Sequence, residues 1–328
     1  MTCEAVSFLD LQYSEYENCF ETKVDDVIFT SYEWIKCLDG FEGYKAECIV
    51  LKEGDTILGF LPYFLRKKYG VLICESMLFS LYGGIFPEDK SDIMVTYLEK
   101  YISSISKLYC IRLYFEQKIG DVCKQKLSAS GFVVSTGKAA IVNLKNNSSE
   151  LLMTYKHSTR KNIKKAIREN VIISEVENEK ELYEFYKMAK YIYEFHKSKM
   201  PYSFDLYKLI YRNLVNTGLA KIRIAKHEGL IIAGSIHFYS KNKKSVLNWL
   251  TPSYREYQQY RANTLLIHDA IDCAQKEGYD WYNLGASPEG ESGLLRFKHN
   301  WGAVDKEYTI CQKQSAILEI YDRVKRFF

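Results

Sequence analysis

The chain has 328 residues, 47% hydrophobic and 26% charged, which is ordinary for a globular protein and is long enough for two domains. No apolar run reaches the roughly 18 residues that a membrane-spanning helix needs, so we expect no transmembrane segment. The net charge of +4 is uneven, because residues 1–150 hold only 16 of the 45 Lys+Arg but 21 of the 41 Asp+Glu. The basic remainder suits an anionic partner, such as a phosphate-bearing cofactor or an RNA, or is merely a solvated surface.

Cysteine and histidine usage argues against disulfides and against a metal site. The nine cysteines are scattered, and the six histidines show no HExxH or similar spacing. The N-terminus has acids where a secretory signal would need bases. We therefore expect reduced thiols, no metal and a cytoplasmic location.

The first half of the chain predicts alternating strands and helices. A helix starting near Ser31 places Trp34 and Leu38 on one face. The further predicted strands are 46–51, 56–65, 71–81, 110–115 and 132–144, and the further helices are 89–106 and 121–130.

The second half repeats this alternation after a polar boundary at residues 146–149. A first helix is predicted to begin near Glu150. The further predicted helices are 158–170, 179–195, 204–216, 263–276, 293–300 and 315–328, and the predicted strands are 171–176, 220–226, 230–239, 245–250, 281–284 and 306–311.

An internal repeat indicates a duplication. The hairpin carrying Gly54 and Gly59 matches the hairpin carrying Gly229 and Gly234 at an offset of 175 residues, and a helix and a buried strand follow each. We therefore predict two tandem α/β domains, 1–146 and 147–328, each with a mixed central sheet flanked by helices.

The segment 156–168, KHSTRKNIKKAIR, contains six Lys+Arg and no acid. On a helix, Lys161, Lys164, Lys165 and Arg168 share one face, while Ile163, Ala166 and Ile167 form the opposite, buried stripe. Such a face contacts phosphates or an RNA backbone, or is simply solvated. Arg160 and Asn162, nearer the helix start, are the better candidates for specific anion contacts.

A second candidate for anion binding is 254–264, YREYQQYRANT, which precedes a helix. Small residues and Arg261 before a helix N-terminus can cradle a pyrophosphate, although this connector has no glycine.

The third candidate is 278–302, GYDWYNLGASPEGESGLLRFKHNWG, which predicts a buried strand, a polar loop and a short helix. Acyl transfer to an amine needs a base for the amine, a cation or donors for the oxyanion and a proton for the leaving group. Lys298 can supply the cation, and Glu289 or Glu291 can take the proton. No Ser-His-Asp or Cys-His arrangement is recognisable in the sequence, which favours direct transfer without a covalent enzyme intermediate.

With these residues assembled, the chain resembles the Fem-like branch of the GNAT acyltransferase superfamily. The likeness lies in HSTRKNIKKA (157–166), in the hairpin through Gly234, in GYDWYNLGAS (278–287) and above all in SGLLRFKHNWGA (292–303). The resemblance implies two GNAT-like domains and a transition-state role for the pair Phe297-Lys298. Some members of this branch transfer amino acids from aminoacyl-tRNA to peptidoglycan precursors, and others are acyl-CoA-type N-acyltransferases.

We therefore predict an N-acyltransferase or aminoacyltransferase that forms an amide on an amine, with a cell-envelope precursor as one candidate acceptor. It would bind no permanent cofactor and would use aminoacyl-tRNA or acyl-CoA as the donor. The alternatives are an acyl-CoA-dependent enzyme acting on a sugar amine or amino acid, and a non-catalytic nucleic-acid or anion-binding module. The predicted site residues are Lys298, Phe297 and Glu289 for catalysis, Arg160, Lys161, Asn162 and Arg261 for the donor, and Asn283 and Ser287 for the acceptor.

Overall fold

The computed structural model describes residues 1–21, 28–79, 82–116, 118–145, 148–287 and 292–325. These form two compact units, one made of Met1–Lys138 with Glu307–Phe328 and the other of Ala139–Lys306. The predicted boundary at 146/147 lies outside the described residues. The compact units divide earlier, at Lys138/Ala139, and the end of the chain groups with the first unit.

The strands are β1 (Thr2–Ser7), β2 (Lys45–Glu53), β3 (Thr56–Lys68), β4 (Val71–Glu75), β5 (Tyr109–Phe115), β6 (Val133–Asn143), β7 (Ile172–Glu175), β8 (Ala220–His227), β9 (Leu230–Tyr239), β10 (Ser245–Leu250), β11 (Trp281–Ala286) and β12 (Val304–Gln314). The helices are α1 (Tyr13–Glu21), α2 (Tyr32–Leu38), α3 (Ser91–Ile105), α4 (Asp121–Ala129), α5 (Ser148–Thr154), α6 (His157–Arg168), α7 (Glu179–Phe195), α8 (Phe204–Ile210), α9 (Ala262–Lys276), α10 (Ser292–His299) and α11 (Ala316–Lys325).

The first unit is built on a mixed sheet whose strand order, within the described residues, is β1-β2-β3-β4-β5-β12. Its neighbours pair antiparallel except β4 and β5, which are parallel. A parallel pair requires a crossover, and α3 supplies it. The predicted capped helix is α2, in which the Ser31 side chain accepts a hydrogen bond from the Trp34 amide.

The second unit repeats this plan in the order β7-β8-β9-β10-β11, again for the part of the chain that is described. Its one parallel pair, β10 and β11, is joined by α9, and residues 139–143 of β6 pair antiparallel with β11. The same succession of strands and crossover helix thus occurs twice, and the predicted fold of two tandem α/β units is confirmed.

The repeated hairpin glycines have a physical explanation in the second unit. Gly229 forms the β8–β9 turn with φ +81°. A Cβ on Gly234 would stand 2.5 Å from the Phe185 ring, so the close packing of α7 on β9 requires glycine there.

Buried apolar residues of α6 and α9 form one core with the face of the second unit's sheet against which these helices pack. Ile163 and Ala166 of α6, Leu266 of α9 and Trp301 all lie in it. Full burial of a large aliphatic side chain such as Leu266 stabilises the fold by about 1.5–3 kcal/mol. This core fixes α6 and α9 against the strands that carry the candidate site.

Two sequence predictions are corrected, and one region contains structure that the sequence did not predict. Ile167 is 58% exposed rather than part of the buried stripe of α6, whose inner face uses Thr159 with Ile163 and Ala166. The strand predicted over 71–81 ends at Glu75. The regular structure of the first 21 residues, β1 and α1, was not predicted, because the acidic and aromatic residues there follow no clear period.

Candidate active site

The end of β11 is irregular, and this irregularity shapes the site. The register of β11 against β6 shifts between Asn283 and Ala286. Within this bulge Gly285 has φ +78°, and its amide donates a 2.8 Å hydrogen bond to Oδ1 of Asn283. Asn283, predicted to line an acceptor pocket, is buried and holds the bulge in shape.

Lys298 extends from α10 to the carbonyl groups of this bulge. Its Nζ donates hydrogen bonds to the carbonyl oxygens of Gly285, at 2.9 Å, and Ala286, at 2.6 Å. The residue is only 5% exposed, and burial lowers the pKa of Lys298 to about 8, an effect that the Asp305 carboxylate opposes. The ammonium is therefore still the main form at neutral pH, in surroundings where a positive charge acts strongly on its neighbours.

The two parallel strands stop pairing just before this point. The register of β10 and β11 covers only residues 245–247 and 281–283, although the strands continue to Leu250 and Ala286. A Cβ on Gly285 would lie 3.9 Å from Lys298 Nζ and 4.0 Å from the carbonyl oxygen of Asn248. Backbone polar groups of both strands thus face a common region beside the ammonium, where they could bind an extended amide-bearing ligand.

A cluster of aromatic side chains surrounds Trp249 of β10, the residue after Asn248. Sequence analysis did not identify this cluster. The Trp249 ring lies 4.8 Å from Tyr202, 6.2 Å from Tyr207 and 5.5 Å from Phe238, measured between centroids. These residues come from β9, β10 and the α7–α8 region, so no local pattern brings them together.

Arg261 lies directly before α9, in the connector predicted to cradle phosphate. It adopts a left-handed backbone conformation with φ +59°, and its side chain is exposed. The Asn263 side-chain amide fastens the connector by donating a 2.9 Å hydrogen bond to Ser253 Oγ. Arg261 therefore lies at the N-terminus of a 15-residue helix, which itself attracts anions.

Arg160 is engaged within the fold. Its Nη1 donates to the carbonyl oxygens of Leu152, Met153 and Tyr155, at 3.4, 3.2 and 2.7 Å, and so caps the C-terminus of α5. Lys161 is exposed and Asn162 partly exposed on α6. The predicted donor contacts of these three residues stay predictions.

The remaining predicted residues lie around the strand end. Phe297 is 37% exposed, and its ring meets the buried Trp301 edge-on at 6.3 Å. Ser287 directly follows β11 and is partly buried. Glu289, the predicted base, lies outside the described residues.

In the described part of the chain, no group of three His, Cys, Asp or Glu residues is placed to hold a metal ion. Within the same residues, no helix is both long and apolar enough to cross a membrane.

The second unit has a GNAT-like fold, in which a parallel strand pair separates beside the N-terminus of the crossover helix. Residues 156–299 match the family model described as an acetyltransferase (GNAT) domain. This match confirms the predicted resemblance to the GNAT superfamily over these residues and supports an acyltransferase role. The predicted likeness to the Fem-like branch is confirmed at the level of the fold by the solved structures described next.

Solved structures share the fold over nearly the whole chain. FemX is 15% identical with a TM-score of 0.71, covering 93% of this chain and 96% of that one. The C-terminal domain of a putative lysylphosphatidylglycerol synthetase from Agrobacterium fabrum is 12% identical with a TM-score of 0.61, covering 95% of both chains. A tandem GNAT protein from the clavulanic acid biosynthesis pathway is 10% identical with a TM-score of 0.62, covering 96% and 99%. No curated protein matches the sequence.

Proposed function

We propose that the chain forms an amide by transferring an acyl group directly from a phosphate-bearing thioester, of the acyl-CoA type, to an amine. The observation that carries this proposal is the buried Lys298 ammonium at the point where β10 and β11 separate. A cation in a site of low polarity stabilises the negative charge that develops on a carbonyl oxygen under attack.

The chemistry assigns Lys298 two tasks in succession. The amine nitrogen attacks the acyl carbon, and the carbonyl oxygen becomes an oxyanion that the ammonium stabilises. The oxyanion then re-forms the carbonyl group as the carbon–sulfur bond breaks. The leaving sulfur takes its proton from the Lys298 ammonium, and Lys298 is reprotonated from solvent. A lysine with a pKa of about 8 is well matched to a thiol, whose ordinary pKa is about 8.5. The proton that the amine loses goes to Glu289, as predicted from the sequence, or to water.

The donor would lie along the separated strands with its phosphates at the N-terminus of α9. Arg261 is the proposed charge partner there, and the backbone of β10 and β11 would bind the amide-containing arm. Phe297, beside Lys298 and packed on Trp301, would position the ammonium. Arg160, Lys161 and Asn162 remain candidate donor contacts.

The acceptor would enter beside Asn283 and Ser287, next to the aromatic cluster formed by Trp249 and its neighbours. An acceptor with an apolar or aromatic portion next to its amine would fit these surroundings. A cell-envelope precursor as acceptor and an aminoacyl-tRNA as donor stay predictions from the sequence.

Thermal-shift screening tests the donor. Acyl-CoAs, charged tRNA and nucleotide sugars are each added to the full chain, since a ligand at about 100 times its Kd stabilises the folded state by about 2.7 kcal/mol. We expect acyl-CoA to raise the melting temperature of the wild type and to raise that of Arg261→Ala less. If only charged tRNA raised the melting temperature, the donor would be an aminoacyl-tRNA and not a thioester. If none of the acyl donors raised it, the proposal would be contradicted.

A further inference from the structure

The outward face of α6 carries cations with no acidic partners. Lys161, Lys164 and Arg168 are exposed and Lys165 is partly exposed, and none of the four forms an ion pair with any described residue. Surface lysines elsewhere in this unit usually have a partner, as Lys187 has in Glu184 and Lys276 in Asp272. The α6 face thus keeps its charge unneutralised within the chain.

Two apolar side chains flank these cations and are open to solvent. Ile167 follows Lys164 by three positions and is 58% exposed. Met153, at the C-terminal end of α5, is 72% exposed, and its carbonyl group is bound by Arg160 of α6. The surface formed by Lys161, Lys164, Lys165, Arg168, Met153 and Ile167 is called the α6 surface below.

Cations interleaved with exposed apolar side chains favour one kind of partner. A nucleic-acid backbone would neutralise the cations but would leave Ile167 and Met153 in water. The interface of an anionic bilayer takes up both, because lipid phosphates bind the cations and the acyl boundary receives the apolar side chains.

We infer that the α6 surface docks the chain reversibly on an anionic lipid bilayer. The surface is also fastened to the helix of the candidate site, since the Lys156 amide donates to the Asn300 carbonyl oxygen at 2.9 Å and Thr159 Oγ1 to the same oxygen at 3.2 Å. Docking would therefore hold α10, which carries Lys298, close to the lipid headgroups. The inference concerns binding alone and does not depend on the proposed acyl transfer.

Vesicle flotation with the full chain tests this inference. The probes are vesicles of phosphatidylcholine alone and vesicles containing about one-third phosphatidylglycerol. Each cation near an anionic surface contributes about 1 kcal/mol, or roughly a fivefold change in partitioning. The variant K161Q/K164Q/K165Q/R168Q should therefore bind the anionic vesicles at least about a hundredfold more weakly. Glutamine keeps the helix propensity of α6, and circular dichroism verifies folding.

A matched variant separates the α6 surface from net charge. K67Q/K68Q/K100Q/K107Q removes four exposed lysines of the first unit and lowers the net charge by the same amount. It should bind anionic vesicles within about threefold of the wild type, since each cation acts only close to the lipid surface. An equal loss in both quadruple variants would overturn the inference in favour of non-specific charge.

The apolar contribution distinguishes lipid from polynucleotide. The double variant M153S/I167S should weaken vesicle binding at least about tenfold, since losing only two buried CH₂ groups, at about 0.8 kcal/mol each, gives a change of that size. Its affinity for a 20-base-pair RNA duplex, measured by fluorescence anisotropy, should equal that of the wild type. RNA binding without vesicle binding, unchanged vesicle binding in the double variant, or no vesicle binding by the wild type at low salt would each overturn the inference.

Discussion

Replacing Lys298 by methionine should separate catalysis from folding. Methionine keeps the length and the apolar stem of lysine but removes the ammonium and its hydrogen bonds to the Gly285 and Ala286 carbonyl groups. Loss of a single oxyanion-stabilising group typically lowers kcat by about 10²–10³-fold, or about 2.7–4 kcal/mol. We expect a loss of that size in K298M, with the KM for the donor nearly unchanged.

The effect on stability follows from the pKa of Lys298. A pKa of about 8 in place of 10.5 means that burial of the ammonium costs about 3 kcal/mol at neutral pH. Since the folded-state pKa is lowered, this cost is present below pH 8 and disappears as the pH rises towards 10.5. Methionine removes the cost but leaves two carbonyl groups without their donor, at about 1–3 kcal/mol each. The free energy of unfolding should therefore fall by at most about 3 kcal/mol, and the variant should stay folded.

The assay compares steady-state kinetics and thermal unfolding of the wild type, K298M and K180M. Lys180 is an exposed lysine of the same unit and serves as the control. A kcat of K298M within about threefold of the wild type would refute the catalytic role of Lys298. Complete unfolding of K298M would refute the energetic reasoning.

Three further predictions address pH, the donor and the fold. The wild-type rate should fall as the pH rises through about 8, where Lys298 loses its proton. The residual rate of K298M should not show this fall. If both rates fell, the titrating group would be a residue other than Lys298. Arg261→Ala should raise the donor KM about tenfold with little change in kcat, while Arg261→Lys should keep most of the affinity; an unchanged KM in the alanine variant would remove Arg261 from the donor site. Gly302→Ala should lower the melting temperature more than Gly278→Ala. Both glycines have positive φ, but only a Cβ at position 302 would contact Thr154 Oγ1, at 2.7 Å. Equal decreases in melting temperature would contradict the packing at Thr154.

Local periodicity predicted the elements around the site well. The β8–β9 hairpin, the crossover helix α9 and strand β11 all lie close to their predicted bounds, because each combines a clear hydrophobic period with Gly or polar boundaries. The duplication was visible for the same reason, since paired glycines mark turns and close approaches that the fold needs twice.

The sequence could not predict which strands pair with one another or which helices pack together over long distances in the chain. Strand β12 groups with the first unit, and no local pattern records which sheet a strand joins. The pair Phe297-Lys298 was singled out, but the burial of Lys298 depends on the bulge at Gly285, which forms only when β11 pairs with β6. Arg160 was predicted to bind an anion because it lies near a helix start, whereas its contact with α5 depends on how that short helix packs.

The central claim is that the chain transfers an acyl group directly to an amine. The most direct measurement follows free thiol release and amide product in one reaction with acyl-CoA and an amine acceptor, together with the intact mass of the protein before acceptor is added. We expect one thiol released per amide formed and no mass gain on the protein. A stable acyl adduct on the chain, or thiol release without amide, would contradict the account.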